Sequence, residues 1–208
     1  LFGELDYANL TQFSSNAGTS WASKEGNNDD TADDSSGTYP AFGNFPGFTL
    51  VSGAHTGGPK NFILLTKSYE KFDRIYFGMA NRFGQGQDQH TVGDDRAQGG
   101  KIKLSLYYPS KNNEVGQIQW VPLEFTDRTT AGIDDSSLYL SGPIIFDAPG
   151  DWEQTTSSNI TWPDSIGSNS NWSVSSYGLL IGIAWEATVG STFETTSPAI
   201  NYIFPYAN

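Results

Sequence analysis

Residues 120–152 constrain the fold of this 208-residue chain more than any other stretch. Their sequence, WVPLEFTDRTTAGIDDSSLYLSGPIIFDAPGDW, consists of short apolar runs separated by polar turns, by Gly142-Pro143 and by a Pro-Gly-Asp-Trp corner. Apolar runs of about four to eight residues between such turn residues are typical of β-strands. The stretch therefore predicts consecutive strands, and it contains no recognisable catalytic motif.

Strand signals continue from Tyr39 to the end of the chain. In residues 101–108, KIKLSLYY, strict alternation places Ile102, Leu104 and Leu106 on one face and the lysines on the other. Further candidate strands are residues 48–51, 62–66, 74–79, 119–125, 144–146, 177–185 and 200–204. No window has the apolar period of an amphipathic helix. We predict an all-β fold, an antiparallel jelly-roll-like β-sandwich.

The N-terminal part differs from the rest in composition. Residues 14–38 are rich in Ser, Asn, Asp, Thr and Gly, and Trp21 is their one large apolar residue. Such a segment buries too little apolar surface to fold alone. We therefore predict an extended N-terminal arm, residues 1–38, and a sandwich domain, residues 39–208. We expect the arm to lie on the domain or on a neighbouring subunit.

Charge and composition exclude several partners. The net charge is −12 with 11 basic residues, so we expect neither nucleic-acid nor anionic-membrane binding. The longest apolar run, residues 179–185, is too short to span a bilayer. Cysteine is absent, which excludes disulfides and thiolate chemistry. The start at Leu1 is compatible with a processed chain or with a start outside the numbered sequence.

Catalytic motifs are weak. Neither histidine, His55 or His90, lies near a G-x-S-x-G nucleophile motif. Carboxylates near predicted strand ends could form the pair that a glycosidase needs, and we keep that alternative open; they are Glu124, Asp127, Asp147 and Asp151. Acidic residues are common at strand ends, so we predict that the protein is not an enzyme.

Acidic clusters raise the question of calcium. The densest cluster contains Asp29, Asp30, Asp33 and Asp34, and flexible loops rich in Asp and Asn can supply calcium ligands. The cluster lacks the D-x-D-x-D-G pattern, so a solvated acidic loop is the favoured interpretation. We predict no cofactor, with these four residues as the calcium candidates.

Aromatic residues in polar surroundings are the strongest binding signal. Trp21, Trp162 and Trp172 lie among Ser, Asn, Asp and Thr, while Phe42 and Phe45 lie in a Gly- and Pro-rich stretch. Rings in such a setting can cover the ends of a sandwich, anchor a subunit contact, or stack on a ligand such as a sugar. All three alternatives remain open for these five residues.

The motif W-x-x-L-x-F-x-D, a Thr-rich turn and S-G-x-I-x-F-x-x-P-x-D-W together resemble β-sandwich modules of tailed-phage virion proteins. The matching residues are Trp120, Leu123, Phe125, Asp127, Thr129, Ser141, Gly142, Ile144, Phe146, Pro149, Asp151 and Trp152. The resemblance covers about 140 residues, from Asn61 onward, although the aromatic-Arg ending usual in the returning strand is absent from YGLLIGIAWEA.

That resemblance implies a non-enzymatic virion component that decorates the capsid or belongs to the tail apparatus. Its implied partners are other virion proteins and further copies of itself, and such modules sometimes bind glycans. The alternatives are a carbohydrate-binding module or lectin and, less favoured, a glycoside hydrolase.

Overall fold

The computed structural model describes residues 10–14, 21–23, 59, 61–67, 70–79, 100–112, 115–130, 137–138, 140–163, 166–187 and 200–206. Every regular element in this part of the chain is a β-strand, which confirms the all-β prediction. The same residues include no helix long and apolar enough to cross a membrane.

The described strands are β1 (Leu10–Ser14), β2 (Ala22–Ser23), β3 (Asn61–Lys67), β4 (Arg74–Met79), β5 (Gly100–Lys111), β6 (Ile118–Leu123), β7 (Thr126–Asp127), β8 (Gly142–Ile145), β9 (Gln154–Thr155), β10 (Ile160–Thr161), β11 (Ser176–Ala187) and β12 (Ile200–Tyr206). Seven of the eight strands predicted above overlap these elements. The remaining one, residues 48–51, lies outside the described residues.

The strands form two sheets. The larger sheet has the order β10-β6-β5-β11-β3-β1-β2, with β9 paired to the start of β11, and the smaller has the order β12-β4-β8-β7. Neighbouring strands are antiparallel except for β10 and β6, where Ile160 lies opposite Ile118 in a parallel pair. The prediction of a purely antiparallel arrangement is therefore wrong at this edge, because β10 approaches β6 from a long connection rather than through a hairpin.

Both sheets contribute to one hydrophobic core. Alternate residues of the central strands point into it, as the pattern of residues 101–108 predicted for β5. The main contributors are Ile63, Leu65, Ile75, Phe77, Ile102, Leu104, Leu106, Ile144, Leu179, Ile181, Ile183 and Ile203. The corner residue Trp152 joins this core, with its ring centroid 4.9 Å from that of Phe72 and its Nε1 donating to the Gly178 carbonyl at 3.1 Å.

The centre of the larger sheet is buried on both faces, which simple alternation did not predict. Every residue of β3 is buried. Ser176, Gly178, Leu180 and Gly182 of β11, which face away from the core, are buried as well. Phe62 and Leu64 of β3 belong to two further apolar clusters outside the main core. An outer layer of side chains therefore covers the face of the larger sheet that a two-layer fold would leave in water.

Part of the predicted N-terminal arm belongs to the larger sheet. All five residues of β1 pair with β3, from Leu10 opposite Thr66 to Ser14 opposite Phe62. Strand β2 pairs with β1 in turn, with Phe13 opposite Ala22. The predicted boundary between residues 38 and 39 lies outside the described residues and stays a prediction.

Candidate functional site: a tryptophan layer on the larger sheet

Two glycines on β11 make room for the outer layer. A Cβ on Gly178 would lie 2.5 Å from Trp172 Cη2, and a Cβ on Gly182 would lie 2.8 Å from Pro59 Cγ. Both distances are well inside the roughly 3.5–4.0 Å of carbon–carbon contact. Aromatic and proline rings therefore rest directly on the backbone of this central strand.

Trp172 forms the base of the layer. Its side chain is only 2% exposed and packs against Leu64 and Ile160. Its Nε1 donates to Ser176 Oγ at 2.7 Å, and that hydroxyl donates to the Val174 carbonyl at 3.0 Å. The indole thus has no unpartnered polar atom, and its position is fixed from both its apolar and its polar edge.

Three further tryptophans continue the layer towards solvent. Ring centroids are 5.8 Å apart for Trp172 and Trp120, 5.4 Å for Trp120 and Trp162, and 6.0 Å for Trp162 and Trp21. The rings are tilted by 40° to 60° rather than stacked in parallel, and aromatic pairs at such distances attract one another. Trp21, Trp120 and Trp162 are each partly exposed. These three residues are called the tryptophan surface below.

The indole N–H groups of the tryptophan surface are directed inwards. Trp21 Nε1 donates to the Gly167 carbonyl and Trp162 Nε1 to the Ser157 carbonyl, both at 3.1 Å. Trp120 Nε1 is buried and has no acceptor among the described residues. What these side chains offer to a partner is consequently apolar ring surface rather than N–H donors.

The segment that carries Trp162 and Trp172, residues 156–163 and 166–175, is tied down by its own hydrogen bonds. Ser157 N donates to the Trp172 carbonyl at 2.9 Å, which joins its two ends. Asn169 is fully buried, and its Oδ1 accepts a bond from Asn171 N at 2.9 Å. A loop fixed in this way keeps its rings in place before a partner arrives.

The chain segment that carries Trp162 and Trp172 has almost no charge. Residues 154–185 contain one charged residue, Asp164, although 16% of the whole chain is charged. The exposed side chains of this segment are mainly hydroxyls and amides, among them Ser158, Asn159 and Asn171, with Val174 as an exposed apolar residue. The site therefore combines apolar faces with neutral hydrogen-bonding groups.

A second polar cluster lies at the Pro-Gly-Asp-Trp corner. Asp151 accepts bonds from Ser110 Oγ at 2.7 Å and from the Tyr108 hydroxyl at 3.2 Å. Lys71 Nζ donates to the carbonyls of Pro149 and Gly150 at 2.7 and 2.8 Å. These contacts fasten the corner to β5 and account for its role in positioning Trp152.

The pKa values at this corner are shifted in opposite directions. The bond from Ser110 lowers the pKa of Asp151, partly opposed by desolvation and aided by the bond from Tyr108 and by the charge of Lys71. Burial raises the pKa of Tyr108, and the charge and hydrogen bond of Asp151 raise it further. Asp151 is thus held as an anion beside a neutral phenol, an arrangement suited to anchoring the chain.

The other carboxylates named above belong to the neighbourhood of β7 and β8: Glu124 precedes β7, Asp127 lies in it, and Asp147 follows β8, whose Ile145 lies opposite Thr126. Asp127 Oδ1 accepts bonds from Thr129 N and Oγ1 at 2.7 and 2.6 Å, and Thr129 Oγ1 accepts one from Leu138 N. Glu124 is exposed beside a cavity of about 490 Å³ at the end of β6. Asp147 is exposed and lies between the end of β8 and the Pro-Gly-Asp-Trp corner.

The predicted aromatic contacts are partly brought together. Trp21 and Trp162 meet on the tryptophan surface, whereas Trp172 is buried beneath it and Phe42 and Phe45 lie outside the described residues. Trp120 was not among the five aromatic candidates of the sequence analysis. Side chains alternate between the two faces of β6, and those of Val121 and Leu123 face the main core. This alternation was the signal that could have placed Trp120 on the outer face.

The calcium candidates Asp29, Asp30, Asp33 and Asp34 also lie outside the described residues. Within the described residues, no group of three or more His, Asp or Glu side chains is placed to hold a metal ion. The calcium prediction is therefore untested.

Comparisons with known proteins returned no match: no family model, no curated protein and no solved structure is similar to this chain.

Proposed function

We propose that this protein is a non-enzymatic structural component of a virion, either capsid-decorating or tail-associated, and that it acts by attachment. The N-terminal arm would provide the contacts to other virion proteins or to copies of the same chain, and the tryptophan surface would attach the particle-borne protein to a further partner. The resemblance of residues 120–152 to tailed-phage modules supports the virion setting.

The tryptophan surface is the observation that carries the proposal. Its rings come from three separate segments and rest on a fourth, buried indole, so they form a rigid platform. Partly exposed tryptophans are enriched where proteins make their strongest contacts. The hydrogen bonds of Trp21 and Trp162 to backbone carbonyls hold these rings in place.

The finer architecture is part of the same proposal: a jelly-roll-like β-sandwich. In support, the chain passes repeatedly between the two sheets, with β3 in the larger, β4 in the smaller, β5 and β6 in the larger, β7 and β8 in the smaller, β11 in the larger and β12 in the smaller. Such crossing is typical of jelly rolls. The β5–β6 hairpin within one sheet would make it a variant of that fold.

The virion assignment is tested on particles from the native source. We expect this chain to sediment with purified particles in a fixed ratio to other particle proteins, as quantified by peptide mass spectrometry across a density gradient. Finding the chain only in the soluble fraction would contradict the proposal. Sedimentation equilibrium of the isolated chain tests the expected homo-oligomer, and a monomer at every concentration would count against it.

A glycoside hydrolase remains the less favoured alternative. Turnover on a panel of polysaccharides that is abolished by Glu124→Gln or Asp147→Asn would establish it. Both carboxylates are exposed, so neither change should disturb folding. The lectin alternative has more direct support from the site, and the partner it implies is developed next.

A further inference from the structure

We propose that the tryptophan surface, Trp21, Trp120 and Trp162, binds uncharged oligosaccharides. The inference rests on the proposed attachment function, because it names the partner at that same site. It is argued from the exposed ring area, from the chemistry of the ring faces and from the charge of the chain.

The exposed ring area is limited. A tryptophan side chain has an area of up to about 250 Å², and roughly a third of each of the three rings at most is exposed. Together the rings offer no more than about 250 Å² of apolar surface, an area that a few sugar rings can cover.

The ring faces match the chemistry of sugars. The C–H-rich face of a pyranose is apolar and packs on an indole, while its hydroxyls need hydrogen-bond partners. Trp21 and Trp162 have their N–H groups engaged with backbone carbonyls, so ring faces are what they present. Hydroxyl and amide groups such as those of Ser158 and Asn159 stand exposed in the same segment.

Charge selects a neutral sugar over an anionic one. The chain has a net charge of −12, which disfavours sulfated, sialylated or phosphorylated glycans in general. The segment from residue 154 to residue 185 offers no Lys or Arg that could pair with such groups. Lys103 of β5 lies on the same face of the larger sheet as Tyr107, but one lysine does not offset the net negative charge, so the preferred ligand carries no charge.

The binding test uses the whole chain and its intrinsic fluorescence. Neutral oligosaccharides of glucose, galactose, mannose and N-acetylglucosamine are titrated while tryptophan emission is recorded, alongside sulfated and sialylated oligosaccharides of similar length. We expect saturable binding of at least one neutral member and none of the charged ones. Failure of every neutral member to bind, or tighter binding of the charged set, overturns the proposal.

Variants locate the site. Trp162→Ala and, separately, Trp21→Ala should each weaken the Kd by about tenfold, the effect of truncating one aromatic hot spot. Val115→Ser, at an exposed apolar residue on the β5–β6 hairpin, is the control and should bind like the wild type. Circular dichroism checks folding, and Trp162→Phe keeps the test valid if Trp162→Ala does not fold. Undiminished binding by folded Trp21 and Trp162 variants would contradict this location.

The two proposals fail in different ways. If no oligosaccharide binds but the chain still sediments with particles, the sugar inference is wrong and the virion function stands. If sugars bind but the chain is absent from particles, the protein is a free lectin and the virion function is wrong.

Discussion

Replacing Gly178 by alanine should destabilise the protein through a clash with a single ring. The new Cβ would lie 2.5 Å from Trp172 Cη2 and 2.7 Å from Cζ2, so the ring would have to move by about 1 Å to restore normal contact. Its bond to Ser176 Oγ and its packing on Leu64 oppose that movement. Overpacking of this kind costs about 1–3 kcal/mol, and removing a glycine from the unfolded chain returns about 0.5–1 kcal/mol. We expect a net loss of about 1–2 kcal/mol in the free energy of unfolding.

Urea unfolding followed by circular dichroism measures that loss, provided that the slope with denaturant is unchanged. Gly150→Ala is the matched control, because nothing lies within 4 Å of its new Cβ. It should change the free energy of unfolding by less than about 0.5 kcal/mol.

A double-mutant cycle with Trp172→Phe assigns the cost to the ring. Phenylalanine lacks the two indole atoms that the new Cβ would meet, so Gly178→Ala should cost at least about 1 kcal/mol less in the Trp172→Phe background. An equal cost in both backgrounds would show that the strand backbone, and not the tryptophan layer, requires glycine here. That outcome would refute the account of how the layer is seated.

Three further predictions concern other parts of the structure. Gly142→Ala would place a Cβ 2.6 Å from the Arg128 carbonyl oxygen, which as backbone cannot swing away; we expect a loss of about 1–3 kcal/mol in urea unfolding, and wild-type stability would contradict this. Asp151→Asn should reduce stability at neutral pH but not in acid. Because the folded-state pKa of Asp151 is lowered, its contribution is present above the unfolded-state value near 3.8 and is lost as the pH falls through the lower folded-state value. Unfolding curves of the two proteins should converge as the pH falls below the unfolded-state value near 3.8, and parallel pH profiles would refute the role of this anion. Deleting residues 1–24 removes β1 and uncovers an edge of β3, so we expect lower stability and aggregation seen by light scattering; a monodisperse, equally stable product would contradict the pairing.

The sequence predicted the strands and the main core well, for a physical reason. Residues 101–108 alternate strictly because β5 has one face in the core and the other turned away, and that periodicity is local information. The turn residues between apolar runs were equally informative. Seven predicted strands were therefore found at or close to the predicted positions.

The outer layer could not be predicted in the same way, because it depends on contacts between distant segments. Trp21 meets Trp162 across more than 140 residues, and no local pattern encodes that approach. A continuous apolar run such as that of β3 was a hint that both faces are buried. The glycines at positions 178 and 182 gave a further hint, since small residues on one face of a strand allow rings to pack on it.

The pairing of the N-terminal arm could not be predicted for the same reason. Residues 10–14 have too short an apolar pattern to identify a strand with certainty, and their pairing with β3 is non-local. Trp21, Trp162 and Trp172 all stand in polar stretches of the sequence, which offer no means of telling the two partly exposed rings from the buried Trp172.

Electron cryo-microscopy of particles from the native source, incubated with the neutral oligosaccharide that binds most tightly in the fluorescence panel, tests the central claim most directly. We predict repeated copies of this chain on the particle, with additional density against Trp21, Trp120 and Trp162. Absence of the chain from the particles, or sugar density on a different face of it, would contradict the claim that this surface is the attachment site.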